Sequence, residues 1–426
     1  MKSPATAAAA RLALRHARAA GLASSRRPVA SSVLAPVPQL QWRRALTGRA
    51  NMSTVVEDLG STPSPPPPPP NVTTPESVEA ERQANAREIL KKAVNATAPR
   101  NNWTKEEISA IYYHPLMDLA FQAGLIHRRF HDPAEVQLCT LMNIKTGGCT
   151  EDCSYCAQST RYQTGVQAQR VETVESVLAA ARTAKANGST RFCMGAAWRD
   201  MRGRKNSLKN IKAMIEGVRA LDMEACVTLG MIDAEQAQEL ARAGLTAYNH
   251  NVDTSREFYP SVISTRTYDE RLKTLEHVRD AGINVCSGGI LGLGEKGQDR
   301  VGLLHTVSTL PTHPESFPVN ALVPIKGTPL GEKEPIRFTE MLRTIATARI
   351  VMPSTIIRIA AGRKTMSEEK QALCFMAGAN AIFTGEKMLT TECNGWDEDS
   401  AMFGRWGLLP MKSFEKSPQP APEVQA

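Results

Sequence analysis

The stretch VESVLAAARTAKANGSTRFCMG, residues 174–195, contains the unit from which the fold is predicted. Residues 174–186 are rich in alanine and other good helix formers, and Gly188 follows where a left-handed residue ends a helix. Residues 190–195 then form a short apolar run, which is typical of a buried strand. A helix followed by a buried strand is the repeating unit of a parallel α/β fold.

This unit recurs along the chain. Further helical stretches at 234–243 and 268–281 also end at a glycine, Gly244 and Gly282. The apolar, β-favouring runs lie at 136–144, 190–195, 224–229, 246–251, 283–291, 316–323, 355–360 and 379–384. Eight such units predict a (β/α)₈ barrel, whose active site lies at the C-terminal ends of the strands. An open doubly wound sheet is the alternative that the pattern leaves open.

The sequence outside the barrel predicts four further segments. Residues 1–50 contain nine basic residues and no acidic one, together with many alanines and serines, which is typical of a mitochondrial presequence; a plain disordered tail is the alternative. Thr104 and Glu107 form a capping-box pattern ahead of the barrel. The predicted parts are a presequence at 1–52, a proline-rich disordered linker at 53–75, N-terminal helices at 76–134, the barrel at 135–395, and an extension with a disordered tail at 396–426.

Composition excludes several classes of protein. The formal charge is +8, but without the nine basic residues of the presequence 42 basic residues face 43 acidic ones, so no nucleic-acid partner is expected. No apolar run approaches the roughly 18 residues of a membrane span, so no membrane partner is expected either. Nine cysteines in the reducing mitochondrial matrix indicate metal or redox chemistry rather than disulfides.

The sequence Cys149-Thr-Glu-Asp-Cys153-Ser-Tyr-Cys156 follows the first predicted strand directly, where a barrel places a catalytic loop. Three thiolates can hold three irons of a cubane cluster and leave the fourth iron open to another ligand. Glu151 and Asp152 indicate that the loop is polar and exposed. A structural zinc site is the alternative, but it needs a fourth ligand that the loop does not supply.

Three more cysteines, Cys193, Cys226 and Cys286, lie in the second, third and fifth predicted strands. Inside one barrel their side chains can converge, which suggests a second metal site, although each alone is also typical of a small buried apolar residue. Arg358 lies in the seventh strand among apolar residues, where a charge is costly unless it has a partner. Arg191 lies on the same strand face as Cys193 and is expected to neighbour this site.

Two loops carry other candidate ligand groups. Asn249, Asn251 and Asp253 alternate at the end of the fourth strand, so they are expected to face one side; turn or cap roles are the alternative for the asparagines. Residues 292–297 match the dinucleotide fingerprint G-x-G-x-x-G. This match falls in the fifth unit instead of the first, which argues against dinucleotide binding.

The spacing C-x₃-C-x₂-C with Tyr155 before the last cysteine resembles the signature of the radical S-adenosylmethionine superfamily. Within that superfamily the chain resembles the biotin synthase family from about residue 110 to 410. The segments that carry this resemblance are RFCMGAAW at 191–198, EACVTLG at 224–230, YNHNVDT at 248–254 and VCSGGI at 285–290.

The resemblance implies a role for each candidate residue. It implies a [4Fe–4S] cluster on Cys149, Cys153 and Cys156, and a [2Fe–2S] cluster on Cys193, Cys226, Cys286 and Arg358. For S-adenosylmethionine it implies contacts from Tyr155, Asn251, Asp253 and Arg271, and for dethiobiotin contacts from Asn251 and Asn320. Cys139, Cys374 and Cys393 receive no role.

The reaction implied by the resemblance is the last step of biotin biosynthesis, the insertion of sulfur into dethiobiotin. A 5′-deoxyadenosyl radical from S-adenosylmethionine and sulfide from the [2Fe–2S] cluster are the expected reactants. Expected protein partners are an electron donor of the ferredoxin or flavodoxin type, the iron–sulfur assembly machinery, and a second copy in a homodimer. The alternatives are lipoyl synthase, which needs a second cysteine-rich motif that this chain lacks, and a non-catalytic iron–sulfur or zinc module.

Overall fold

The structure, a computed structural model, describes residues 75–413. The predicted presequence, the linker up to residue 74 and the tail from residue 414 lie outside the described residues. Within 75–413, no helix combines the length and apolarity needed to cross a membrane.

Parallel strands close into a barrel, which confirms the predicted (β/α)₈ fold. The first strand pairs with the second along one edge and with the last along the other, so the sheet is not an open doubly wound one. The fifth predicted strand consists of two pieces, β5 (Asn284–Cys286) and β6 (Gly289–Leu291). The strands are β1 (Glu135–Lys145), β2 (Arg191–Ala196), β3 (Glu224–Thr228), β4 (Ala247–Asn249), β5 (Asn284–Cys286), β6 (Gly289–Leu291), β7 (Ser316–Ala321), β8 (Ile356–Ile359) and β9 (Ala381–Phe383).

Helices precede, alternate with and follow these strands. The glycines predicted to end three of them, Gly188, Gly244 and Gly282, have φ of 85°, 83° and 74°, a conformation that glycine adopts without a steric penalty. The helices are α1 (Pro75–Asn95), α2 (Lys105–Tyr112), α3 (Leu116–Phe130), α4 (Val174–Ala186), α5 (Lys205–Arg219), α6 (Ala234–Arg242), α7 (Tyr268–Asp280), α8 (Gly297–Ser308), α9 (Phe338–Val351), α10 (Glu368–Met376) and α11 (Trp396–Trp406).

The three helices before β1 pack on the outside of the barrel. The capping box predicted at Thr104 and Glu107 is present, and α2 buries Ile108 and Ile111 completely. Trp103, just before this cap, donates a hydrogen bond from Nε1 to the carbonyl of Val351 at the end of α9, at 3.1 Å. The N-terminal helices are therefore anchored to the barrel by apolar burial and by a buried hydrogen bond.

The break between β5 and β6 has a local cause. Both pieces pair with β7 in one continuous register, Cys286 with Ser316 and Gly289 with Val319. Pro318 lies in β7 between these two pairs and has no N–H to donate, so the ladder is interrupted there. A Cβ on Gly288 would lie 2.1 Å from the carbonyl oxygen of Pro318, so the two backbones approach each other closely only because residue 288 is glycine.

Three short strands were not predicted. A hairpin of β10 (Lys387–Met388) and β11 (Thr391–Glu392) follows β9. The third, β12 (Leu409–Pro410), follows α11 and pairs in parallel with the first residues of β1. The C-terminal extension thus returns to the strand that begins the barrel.

We predict that Gly288→Ala lowers the free energy of unfolding by about 1–3 kcal/mol, because the new methyl group forces the two backbones apart. Gly404→Ala is the matched control, since Gly404 lies inside helix α11 and a Cβ added there would enter open space among the described residues. The control is expected to keep or slightly raise stability, because alanine favours the helix. Urea denaturation of both variants measures the difference; equal stability would contradict the assigned close approach.

Candidate active site

One cavity of about 310 Å³ lies at the C-terminal ends of the barrel strands and brings the predicted site residues together. Its lining combines the cysteine loop after β1 with side chains from the barrel strands and from α7. The predicted residues in the lining are Cys149, Cys153, Tyr155, Cys156, Cys193, Cys226, Asn251, Asp253, Arg271, Cys286, Asn320 and Arg358. Their individual ligand roles stay predictions.

The cysteine loop is held to the segment before α7 by its acidic residues. Asp152 accepts hydrogen bonds from the backbone N–H groups of Ser264 and Thr265 at 3.0 and 3.2 Å, and from the Thr265 hydroxyl at 2.8 Å. Partial burial raises the pKa of Asp152, but these hydrogen bonds outweigh burial and lower the pKa to about 2. The carboxylate therefore stays charged and fixes the loop at neutral pH.

The expectation that Glu151 is exposed is wrong, since only 2% of this residue is accessible. Its carboxylate lies 3.5 Å from Nε of Arg199 and 3.7 Å from Nε of Arg266, and it accepts a hydrogen bond from the Thr265 hydroxyl. Two cations from other parts of the chain compensate the buried charge, which the local sequence does not reveal. The loop is thus packed into the protein instead of extending into solvent.

The three thiols of this loop are free and largely buried. Burial raises the pKa of Cys153 to about 12 and of Cys156 to about 11, and it also raises the pKa of Cys149. Without a ligand the thiols are therefore protonated at neutral pH, and binding to iron releases their protons. Three thiols on one wall of a shared cavity fit an iron–sulfur cluster with one open iron. Within residues 75–413, no group of three or more His, Cys, Asp and Glu side chains is placed so that it could hold a single metal ion.

The second cysteine group lies on the barrel strands. Cys193 and Cys226 face each other in the β2–β3 register, and a hydrogen bond between them raises the pKa of Cys193 and lowers that of Cys226. Asn249 donates to Sγ of Cys286 at 3.3 Å. Arg191, expected to neighbour this site, lines the same cavity and pairs with Glu224 at 2.6 Å. This donor set of three thiols also fits an iron–sulfur cluster.

Arg358 lies beside these thiols with only 1% of its surface accessible. Its Nη2 donates to Oε1 of Gln137 at 2.8 Å and to the Ser316 hydroxyl at 3.3 Å, and its Nη1 donates to Sγ of Cys139. Its Nε has no hydrogen-bond partner among the described residues. The unpartnered Nε leaves one polar atom of the guanidinium available to a bound group.

A buried ion pair joins three of the predicted S-adenosylmethionine contacts. Asp253 lies 2.6 Å from Nη2 of Arg271 and accepts a hydrogen bond from the Tyr155 hydroxyl at 2.9 Å. Asp253 has φ of 67°, so the strand alternation predicted from Asn249 does not continue to it. Burial and the neighbouring Asp253 carboxylate raise the pKa of Tyr155 well above its usual value, so this phenol is a hydrogen-bond donor.

The two asparagines predicted to contact substrate are fixed by backbone groups. Oδ1 of Asn251 accepts from the N–H of Gly288 at 3.2 Å. Asn320 donates to the carbonyl of Gly289 at 3.0 Å and accepts from the N–H of Ala361 at 3.2 Å. Their amide groups are thereby oriented before any ligand binds.

The glycine loop at 292–297 uses its own carboxylate. Glu295 accepts hydrogen bonds from the N–H groups of Gly292 and Gly294 at 2.9 and 3.2 Å, and it pairs with Arg300 at 2.8 Å. The N–H groups that a pyrophosphate would need are therefore already engaged. This arrangement agrees with the argument against dinucleotide binding.

The sequence missed one part of the cavity wall, the β10–β11 hairpin. Met388, Leu389, Thr390 and Thr391 all line the cavity. Leu389 has φ of 56°, a conformation that is rare for a branched apolar residue. No composition or spacing signal marks this four-residue wall, because its position depends on tertiary contacts.

Comparison with known proteins places this geometry in a family. A model of the radical S-adenosylmethionine superfamily matches residues 143–307, and a model of the Biotin and Thiamin Synthesis associated domain matches residues 318–409. A mitochondrial biotin synthase of Emericella nidulans is 71% identical over 336 residues, which cover 79% of this chain and 86% of that protein. The chain belongs to the biotin synthase family.

Other relatives agree with this assignment. The biotin synthase of Schizosaccharomyces pombe is 62% identical over 77% of this chain and 91% of its own length. The mitochondrial biotin synthase of Saccharomyces cerevisiae is 53% identical over 85% of this chain and 99% of its own length. As a member of this family, the chain is a sulfur-inserting radical enzyme that uses S-adenosylmethionine and iron–sulfur chemistry.

Solved structures support the barrel fold alone. The hydrogenase maturase HydG of Carboxydothermus hydrogenoformans has a TM-score of 0.67 at 16% identity and covers 80% of this chain and 82% of its own. Methylornithine synthase (PylB) has a TM-score of 0.64 at 17% identity and covers 76% of this chain and 97% of its own.

We predict that Asp253→Asn lowers the free energy of unfolding by about 3–5 kcal/mol, because it leaves the buried Arg271 guanidinium without its counter-charge. Asp269→Asn is the matched control, since Asp269 pairs with Arg256 at the surface, with 74% and 49% of the two side chains accessible. The control is expected to change stability by less than about 1 kcal/mol. Thermal denaturation of both variants in the absence of ligands tests this difference, and equal losses would contradict it.

Proposed function

We propose that this protein is a biotin synthase of the mitochondrial matrix that converts dethiobiotin to biotin by radical sulfur insertion. The observation that carries the proposal is that two separate thiol groups line one cavity. A radical source and a sulfide source bound to these groups would face the same substrate. The matrix location rests on the basic N-terminal composition and on relatives that are named mitochondrial.

The two thiol groups are proposed to hold different clusters. Cys149, Cys153 and Cys156 would hold a [4Fe–4S] cluster, and Cys193, Cys226, Cys286 and Arg358 would hold a [2Fe–2S] cluster. When bound, the first cluster with S-adenosylmethionine supplies a 5′-deoxyadenosyl radical, and the second supplies sulfide for the carbon–sulfur bonds. The protein's own residues bind, orient and shield these groups.

Positive charge around the cavity supports the binding of anionic groups. Arg266, Arg271 and Arg358 line it, and the first two lie near the cysteine loop. Thiolate-bound clusters and the carboxylate of S-adenosylmethionine carry negative charge, which buried guanidinium groups stabilise strongly at low dielectric. We assign the methionyl carboxylate to Arg271, as the resemblance to the family implies, and the charge of the cavity supports this assignment.

The polar groups that follow β4, together with Asn320 on β7, are proposed to orient the two organic ligands. Asn251 and Asp253 would bind the ribose hydroxyls of S-adenosylmethionine, and the Tyr155 hydroxyl keeps the Asp253 carboxylate in place. Asn251 and Asn320 would bind the ureido ring of dethiobiotin, whose N–H and C=O groups match two amides. Because backbone partners already fix both amides, little conformational entropy is lost on binding.

The hairpin wall is proposed to exclude water from the reacting carbon atoms. Met388 and Leu389 are apolar members of the cavity lining, and Leu389 lies next to Gly195 on β2. A carbon radical needs such a wall because competing reactions with solvent or oxidants would otherwise consume it.

Three protein partners complete the proposal. They are an electron donor of the ferredoxin or flavodoxin type, the iron–sulfur assembly machinery and a second copy of the chain. Exposed apolar side chains at Tyr113, Met117, Phe121 and Leu125, spaced every four residues along α3 and its approach, support an interface between copies. The accessible fractions reach 80% at Met117 and 63% at Phe121, which is unusual for apolar residues without a partner.

Anaerobic turnover tests the proposed reaction. The reconstituted protein is incubated with dethiobiotin, reductant and S-adenosylmethionine, and the products are analysed by mass for biotin and 5′-deoxyadenosine. Both products are expected, together with iron for two clusters per chain. A preparation that binds only zinc, or that forms no biotin when fully loaded with iron and sulfide, would overturn the proposal.

We predict that Cys153→Ala abolishes reductive cleavage of S-adenosylmethionine, whereas Cys286→Ala spares part of this cleavage and stops biotin formation. The difference arises because the two cysteines belong to separate groups in the cavity. Cys374→Ala is the matched control, since Cys374 is fully buried in α10 outside the cavity lining. Quantifying 5′-deoxyadenosine and biotin in one assay measures both activities, and parallel loss of both in both variants would contradict the division of labour.

A further inference from the structure

Cys139, which the sequence left without a role, belongs to the surroundings of the second thiol group. It lies on β1, is completely buried, and packs in one cluster with Cys193, Cys226 and Ala247. Leu141 and Phe383 pack against this cluster and line the cavity, whereas Cys139 is not part of the lining. Four thiols, counting Cys286, therefore surround this end of the barrel interior.

Cys139 also contacts Arg358 directly. Nη1 of Arg358 donates to Sγ of Cys139, and Nη2 donates to Oε1 of Gln137 at 2.8 Å. The Cys139 thiol in turn donates to the same Gln137 oxygen at 3.5 Å. The three side chains thus form a closed hydrogen-bonded triangle that fixes the plane of the guanidinium.

This triangle adjoins the cavity through Arg358. Arg358 lines the cavity, whereas Cys139, which contacts Nη1 of Arg358, is not part of the lining. Removing the arginine side chain would leave an opening between the cavity and the Cys139 thiol. A guanidinium must lose a proton before it can bind a metal, which makes it a weak ligand, whereas a thiolate binds iron strongly. A thiol adjacent to that opening can therefore replace the guanidinium after its proton leaves to solvent.

We propose that Cys139 is a positioning residue that orients Arg358 in the second cluster site, and that it becomes the fourth iron ligand when the guanidinium is absent. This inference rests on the proposed [2Fe–2S] cluster. Arg358 then occupies the fourth ligand position, and the Cys139 thiol is in direct contact with it. When the Cys139 thiolate replaces the missing guanidinium, the cluster changes from mixed ligation to ligation by four thiolates.

The ligand exchange is tested in variants lacking the guanidinium. Arg358→Ala is expected to keep the second cluster with a changed visible and Mössbauer spectrum, typical of four thiolates. Arg358→Ala/Cys139→Ser is expected to hold about two iron atoms fewer per chain, one whole [2Fe–2S] cluster. Arg358→Ala/Cys374→Ser is the matched control and should resemble Arg358→Ala, because Cys374 is buried in α10, outside the cavity lining.

Two results would overturn the exchange. One is loss of the second cluster in Arg358→Ala itself, and the other is equal iron and identical spectra with and without Cys139. Cleavage of S-adenosylmethionine by every variant reports that the barrel and the first cluster are intact. Wild-type protein with iron for one cluster only would overturn the proposed function as well, which separates the two failures.

The positioning role is tested with Arg358 in place. Cys139→Val removes the acceptor for Nη1 at similar volume and is expected to change the cluster spectrum, whereas Cys139→Ser keeps an acceptor and should restore the wild-type spectrum. If Cys139 only filled space in the core, Cys139→Val and Cys139→Ser would have the same cluster spectrum. A wild-type spectrum for Cys139→Val overturns the positioning role.

Discussion

The pairing of β1 with both β2 and β9 is the constraint on which the rest of the structure depends. It closes the sheet, so all barrel strands deliver their C-terminal ends to one rim. The cysteine loop follows β1 immediately, so closure of the barrel places this loop at the same rim. The same strand carries Gln137 and Cys139 into the interior, so one strand supports both thiol groups.

Charge burial is the second organising feature of the site. The pairs of Arg191 with Glu224 and of Arg271 with Asp253 are almost inaccessible, and each costs desolvation energy that its own attraction offsets only in good geometry. Proteins that need stability alone do better with apolar side chains in such places. The retention of charge here is consistent with a cavity built for anionic ligands, whose binding recovers part of that cost.

Much of the fold was predictable from local sequence. The strands begin and end within a few residues of the predicted runs, and Gly188, Gly244 and Gly282 end helices for the reason expected. The break after β5 was not predictable, because it depends on Pro318 in another strand facing Gly288. Local sequence indicates which secondary structure a segment favours. The break between β5 and β6 depends instead on Pro318, a residue of another strand.

The site was predictable to a different extent. Spacing indicated the cysteine loop, and strand positions indicated Cys193, Cys226 and Cys286 as a second group. Resemblance to a family supplied the individual ligand roles of the residues, which the structure gathers around one cavity. The burial of Glu151 was missed because its compensating arginines are distant in sequence. Cys139 was missed because a single cysteine carries no spacing signal, and its contact with Arg358 spans 219 residues.

The raised pKa values of the thiols in the cysteine loop affect how fast these thiols are oxidised before a cluster is inserted. Peroxides and disulfides react with thiolates far faster than with protonated thiols. A newly folded chain that holds Cys153 and Cys156 protonated therefore resists oxidative damage until iron is inserted.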